Sequence, residues 1–186
     1  MPELVSELIV SLDMHARGTK SPGYYGYLGP EFEGALKKNS ALPHRQLLGR
    51  KTYEMLNALP EANRDEGWHK TAATEGWLFS TTLQTAEWPG LKVVHDDMIG
   101  FVRKLKEQEG SELRILGSIS TVREFAAAGL LDRIKLWVCP LAVPATGIEG
   151  IFDGWPDTAF DLARTALFDS RVLELEYRLA GEPPTV

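Results

Sequence analysis

The chain has 186 residues, 44% of them hydrophobic and 25% charged, with a formal net charge of −6 and a single cysteine. That size suits one domain with a sizeable core, spanning residues 1–186, and excludes two large ones. The acidic balance argues against a broad nucleic-acid surface, which needs clustered Lys and Arg, and the lone Cys139 excludes an intrachain disulfide. The opening "MPELVSELIV" has no basic start, so it does not read as a signal peptide, and no apolar run is long enough to span a bilayer. The expectation is a cytoplasmic protein with no membrane partner. His15, His44, His69 and His95 are scattered without ligand spacing, so no metal is expected.

In chain order, Leu4 to Leu12 is β-rich and reads as a central strand. "GTKSPGYYGYLGP" (18–30) is a loop, and Pro30 starts a helix with Glu31 and Glu33 in its positive first turn. Residues 44–49 form a strand and 50–59 a helix, with Thr52, Met55, Leu56 and Leu59 at helical spacing. Residues 60–73 are polar and loop-like. "EGWLFSTTL" (75–83) reads as a strand and 92–95 as a short one. Met98, Phe101, Val102 and Leu105 repeat as i, i+3, i+4, i+7 in a helix stopped by Gly110. "ELRILG" (112–117) is a strand and 118–129 a helix ending at Gly129. "DRIKLWVCPLAV" (132–143) is apolar at successive positions, as in a strand covered on both faces, which makes Cys139 a buried thiol. Residues 160–168 and 171–179 read as a hairpin turning at Asp169-Ser170. Strands alternating with helices imply an α/β fold on a largely parallel sheet, with antiparallel strands added at the end.

Two stretches carry chemistry. In "LLGRKTYEML" (47–56) a buried strand gives way to a helix at Gly49, Arg50, Lys51 and Thr52. In "RILGSISTV" (114–122) the same happens at Gly117, Ser118, Ile119 and Ser120. Helix starts offer free N–H groups and the positive end of the helix dipole, so both turns are candidate anion sites. Ser80, Thr81 and Thr82 end the intervening strand and add hydroxyls. Singly, each turn also reads as an ordinary helix cap, and Arg50-Lys51 as a solvated pair. Neither a G-x-G-x-x-G fingerprint nor a P-loop occurs.

Together "VSLDM", "LLGRKTYE", "FSTTL", "LRILGS" and "GLLDRIKLWVCPLA" resemble, in order and over nearly the whole chain, the dihydrofolate-reductase-like superfamily. The closest resemblance is to the reductase domain of the riboflavin-biosynthesis bifunctional deaminase–reductase and its stand-alone relatives. The resemblance implies a three-layer α/β/α sandwich, and NADPH as cofactor. Gly49, Arg50, Lys51 and Thr52 would then bind its phosphates, Ser80, Thr81 and Thr82 would line its adenosine side, and Gly117, Ser118, Ile119 and Ser120 would hold the pyrophosphate. It also implies a homodimer, and a small planar heterocyclic substrate, either an aminouracil bearing a phosphoribosyl group or a pterin. The alternative is a nucleotide-binding module without turnover.

On the substrate side the candidates are Asp13, at the end of the first strand, and Glu31, both expected to converge on one pocket and to include the proton source. Each also reads as a local structural carboxylate. Tyr24, Tyr25 and Tyr27 form a possible stacking wall, while Trp68 and Trp77 read as core or rim. Three departures bear on the substrate. Leu116-Gly117-Ser118 stands where riboflavin-pathway reductases carry Glu-Gly-Gly. Residues 143–147, VPATG, replace a Gly-x-Gly turn, and no basic cluster for a ribose phosphate lies in residues 18–30.

Overall fold

The computed structural model describes residues 1–21 and 23–184. Its strands are β1 (Leu4–Ser11), β2 (His44–Gly49), β3 (Gly76–Phe79), β4 (Leu91–Val94), β5 (Glu112–Leu116), β6 (Arg133–Cys139), β7 (Ala159–Phe168) and β8 (Val172–Gly181). Its α-helices are α1 (Pro30–Ala41), α2 (Arg50–Asn57), α3 (Glu66–Ala73), α4 (Met98–Glu107) and α5 (Ile119–Ala127). All eight strands form one sheet in the order β4-β3-β2-β5-β1-β6-β8-β7. The first six run parallel; β8 joins β6 antiparallel and pairs in turn with β7.

The strands are apolar on consecutive residues because helices cover both faces. Leu47 packs with Val102 and Leu105 of α4 and with Val122 and Phe125 of α5. Its neighbour Leu48 packs on the other face with Tyr53 of α2 and Ala72 of α3. Further along that second face, Phe32 of α1 meets Trp137 and Cys139. This is the three-layer sandwich expected. Phe32 and Phe125 are fully buried, one on each face, and truncating either to Ala should cost about 3–5 kcal/mol.

Residues 60–73 differ from the sequence reading: they contain a 3-10 turn at Glu61–Asn63 and the helix α3. Asp65 starts α3 by accepting from Trp68 N at 2.8 Å. A single apolar stripe, Trp68 against Trp88 with Ala72 buried, supports these two turns, too little for the polar composition to reveal. The third strand ends at Phe79, four residues early, because Ser80 Oγ turns back to accept from the amides of Thr82 (3.2 Å) and Leu83 (3.0 Å). The hairpin turn lies at Asp169-Ser170 as expected, with φ of 50° and 54°, the left-handed pair that a tight two-residue turn requires.

Register sets up the site. Leu116, the last residue of β5, lies opposite Glu7, whereas Cys139 of β6 lies opposite Ser11. β1 therefore overhangs β5 by four residues at the carboxyl edge, leaving a notch above the β5–α5 turn.

Candidate functional site

The helix starts fall into two groups. Three are closed by an aspartate. Asp65 caps α3, Asp97 Oδ1 accepts from Gly100 N in α4 (2.9 Å), and Asp169 reaches across from the hairpin to accept from Glu31 N (3.1 Å) and Phe32 N (3.0 Å) in α1. The other two, α2 and α5, have no side-chain cap. Their first-turn amides, at Arg50, Lys51 and Thr52 and at Ile119 and Ser120, have no intrahelical acceptor and sit at positive dipole ends.

These two open ends touch. β2 and β5 are neighbours, with Leu47 opposite Ile115, so the turns that follow them lie side by side. A side chain at Gly49 would collide with Ser118 Oγ, and Ser118 Oγ itself bonds Thr121 Oγ1 at 2.6 Å instead of capping its own helix. Gly117 and Ser118 are both left-handed, at φ 61° and 62°. A Cβ at Gly117 would lie 3.1 Å from Thr52 Cγ2. The glycines thus let two turns approach each other, and the helix ends become one continuous strip of N–H donors.

Beside this strip opens a cleft of about 380 Å³, lined by Arg50, Ser80, Thr81, His95, Asp96 and Asp97 among others. Arg50 Nη1 is held by Glu54 Oε1 at 3.0 Å, one helical turn on. His95, which lacks metal-ligand spacing in the sequence, follows directly on β4; its Nδ1 lies 3.1 Å from the Ser80 carbonyl. Its place one residue past a parallel strand's carboxyl end is the signal that could have marked it. Lys51 is exposed and Thr52 packs on Gly117, so the two cations differ: Arg50 lines the cleft and Lys51 lies on the outer surface.

The substrate-side residues are not brought together. Asp13 accepts from Val143 N with both oxygens (3.1 and 3.0 Å) and lies 3.6 Å from His15 Nδ1. The Ser11 hydroxyl, with the Val143 amide and its own, outweighs desolvation and holds Asp13 below the usual carboxylate range. Near neutrality it is ionised. Glu31 Oε2 accepts from Asp169 N (2.5 Å), completing a reciprocal clasp with the hairpin. It lines a different cavity of about 830 Å³, beneath α1 and over the charged half of the sheet with Arg114, Lys135 and Glu174. The shared Asp13–Glu31 pocket is therefore corrected: each carboxylate is committed to a separate loop. Tyr24 is buried in the core with Phe32 and Trp137, and its hydroxyl donates to the His15 carbonyl at 2.9 Å, so it forms no stacking wall. Tyr27 packs on the same cluster; the Tyr25 side chain lies outside the described residues. Trp77 is core and Trp68 half-buried. Burial pushes the Cys139 thiol up to about 11, which leaves it unreactive near neutrality.

A mostly parallel sheet, helices on both faces and a terminal antiparallel hairpin make this the dihydrofolate-reductase-like fold. The chain belongs to the RibD C-terminal domain family, which matches residues 33–173. It is 22% identical to the Bacillus subtilis (strain 168) protein "Uncharacterized protein YyaP" over 185 residues, covering 96% of this chain and 95% of that one. A putative riboflavin biosynthesis protein from Shewanella sp. PV-4 has the same fold at a TM-score of 0.78 and 14% identity, over 95% of this chain and 98% of that one. The Thermotoga maritima diaminohydroxyphosphoribosylaminopyrimidine deaminase/5-amino-6-(5-phosphoribosylamino)uracil reductase superposes at 0.69 and 13% identity, over 96% of this chain and 57% of that one. Among the described residues no helix is long and apolar enough to cross a membrane.

Proposed function

We propose that the protein is an NADPH-dependent reductase of a small planar heterocycle, of the aminouracil or pterin kind. The observation that supports this most is the pair of touching, uncapped helix ends beside the Arg50 cleft, in a chain whose other three α-helices are closed by aspartate. The donor set fits a dinucleotide. The α5 start, at Ser118, Ile119 and Ser120, would take pyrophosphate oxygens on its amides. Gly49 and Thr52 would position the adjoining turn, while Arg50 faces the adenosine end and Ser80 and Thr81 line it. When bound, NADPH supplies the hydride, so the chain's own task is to align the heterocycle and exclude water. Asp13, ionised and fixed by Val143, suits orientation of a ring N–H in the substrate. Proton delivery then falls to solvent.

A second reading, a nucleotide-binding module without turnover, is favoured by one observation: both candidate carboxylates are engaged by backbone amides. Titrating NADPH and NADH against intrinsic tryptophan fluorescence tests the cofactor half, with NADPH expected to bind more tightly; equal affinities would remove the cleft cation from that role. NADPH oxidation screened against aminouracils, pterins and nitro-heterocycles separates the two readings. The homodimer implied by the resemblance is proposed to form through the β7–β8 hairpin, where Leu162, Leu167 and Leu173 are exposed. Sedimentation of the native chain against Leu167→Lys tests it, with a monomeric variant expected. A monomeric native chain would refute it.

A further inference from the structure

The adenosine-side cleft holds one group that the reading above does not use. His95 stands on the segment between β4 and α4, exposed, in the same cleft as Arg50 and Thr81. A carbonyl oxygen only accepts, so the 3.1 Å contact to Ser80 O places a hydrogen on His95 Nδ1. That fixes the ring and leaves Nε2 as the atom open to a ligand. In the neutral ring Nε2 carries a lone pair; in the imidazolium it carries a hydrogen. A phosphomonoester beside it would be repelled by the first and would accept a charge-assisted hydrogen bond from the second.

We propose that His95 is a specificity-determining residue for the cofactor, selecting a nucleotide with a 2′-phosphate over one without. This rests on the NADPH reading of the cleft. The charged groups around it show why Arg50 alone gives weak selection. Arg50 from α2 is already paired with Glu54, and the segment's own Asp96 and Asp97 line the same cleft. Asp97 accepts from Gly100 N and keeps its charge, and Asp96 beside it likewise opposes a phosphate. Without a second cation the local balance is negative. An imidazolium at His95 supplies that cation.

The experiment is a set of fluorescence titrations of the whole chain with NADP⁺ and NAD⁺ at pH 6.5, for wild type, His95→Gln and Asp96→Asn. Thermal melts accompany them; His95 is exposed, so its replacement should leave the melt unchanged. At pH 6.5 wild type should prefer NADP⁺, and His95→Gln should cut that preference about tenfold by weakening NADP⁺ alone. Asp96→Asn should raise NADP⁺ affinity by about threefold and leave NAD⁺ affinity in place. An unchanged preference in His95→Gln, or an equal loss for both nucleotides, overturns the assignment while leaving the cofactor reading intact. Failure of wild type to bind either nucleotide sinks that reading and this assignment with it.

Discussion

α1 and α5 both begin at the carboxyl edge of the sheet, yet their first turns are built to opposite ends. The start of α1 is sealed twice, by Asp169 accepting from two of its amides and by Glu31 gripping the Asp169 amide in return. The start of α5 is left unsealed although it has a serine at the capping position, because Ser118 spends its hydroxyl on Thr121. A serine in the ordinary extended capping conformation would have satisfied one of those amides. The difference shows that a capping residue type does not by itself close a helix. The side chain's partner decides: Asp97 caps α4 from the same left-handed region, at φ 46°, whereas the Ser118 hydroxyl is taken by Thr121.

The largest expected effect comes from closing the open end by force. Gly117→Val puts a β-branched residue at φ 61° and against Thr52, so nucleotide binding should be lost, on the order of 100-fold or more, at a strain cost of about 1–3 kcal/mol. Fluorescence titration beside a urea melt reads both; normal binding would reduce the second turn to a simple helix start. Opening the sealed end should do the reverse. Asp169→Ala should destabilise the fold by about 1–2 kcal/mol while nucleotide affinity stays unchanged. If affinity falls in step with stability, the two ends are not independent.

Arg50→Ala should weaken NADPH about tenfold, and Lys51→Ala, on the exposed surface, by no more than about twofold. Equal losses would show that the cleft does not define the phosphate site. The smallest effect concerns Asp13. Its carboxyl titrates lower in the folded chain than in the unfolded one, so its contribution to stability is present above about pH 4 and is lost as pH falls through the folded value. Asp13→Asn should therefore lower the neutral plateau and flatten the acid side of the stability profile. An unaltered acid limb would mean that Asp13 is not held as its contacts indicate.

Much of this was legible in the chain. β2, β5, β6 and the hairpin follow from apolar runs, a Gly-terminated pattern and alternation, all local signals. The anion-site turns were legible because Gly49 and Gly117 each interrupt a strand-to-helix change. What could not be read was distance. That Ser118 packs on Gly49 depends on β2 lying beside β5, a pairing of residues more than sixty positions apart. The substrate side failed for the same reason. Glu31 and Asp13 are near in sequence, but their partners, Asp169 and Val143, arrive from the last quarter of the chain. α3 was missed on other grounds: eight polar-looking residues supported by one Trp and one Ala leave almost no periodic trace.

The α1 clasp also has a temporal side. Its two halves are 138 residues apart, so during synthesis the helix emerges long before the turn that seals it. β8, which must lie along β6 to carry that turn into place, is likewise among the last segments made. A nascent chain could assemble β1 to β6 with both nucleotide-facing helix ends already formed while α1 still frays at its first turn. Completion would then be a late, C-terminal event, and a ribosome-stalled chain ending before Asp169 should show α1 amides exchanging freely while those of α5 are already protected.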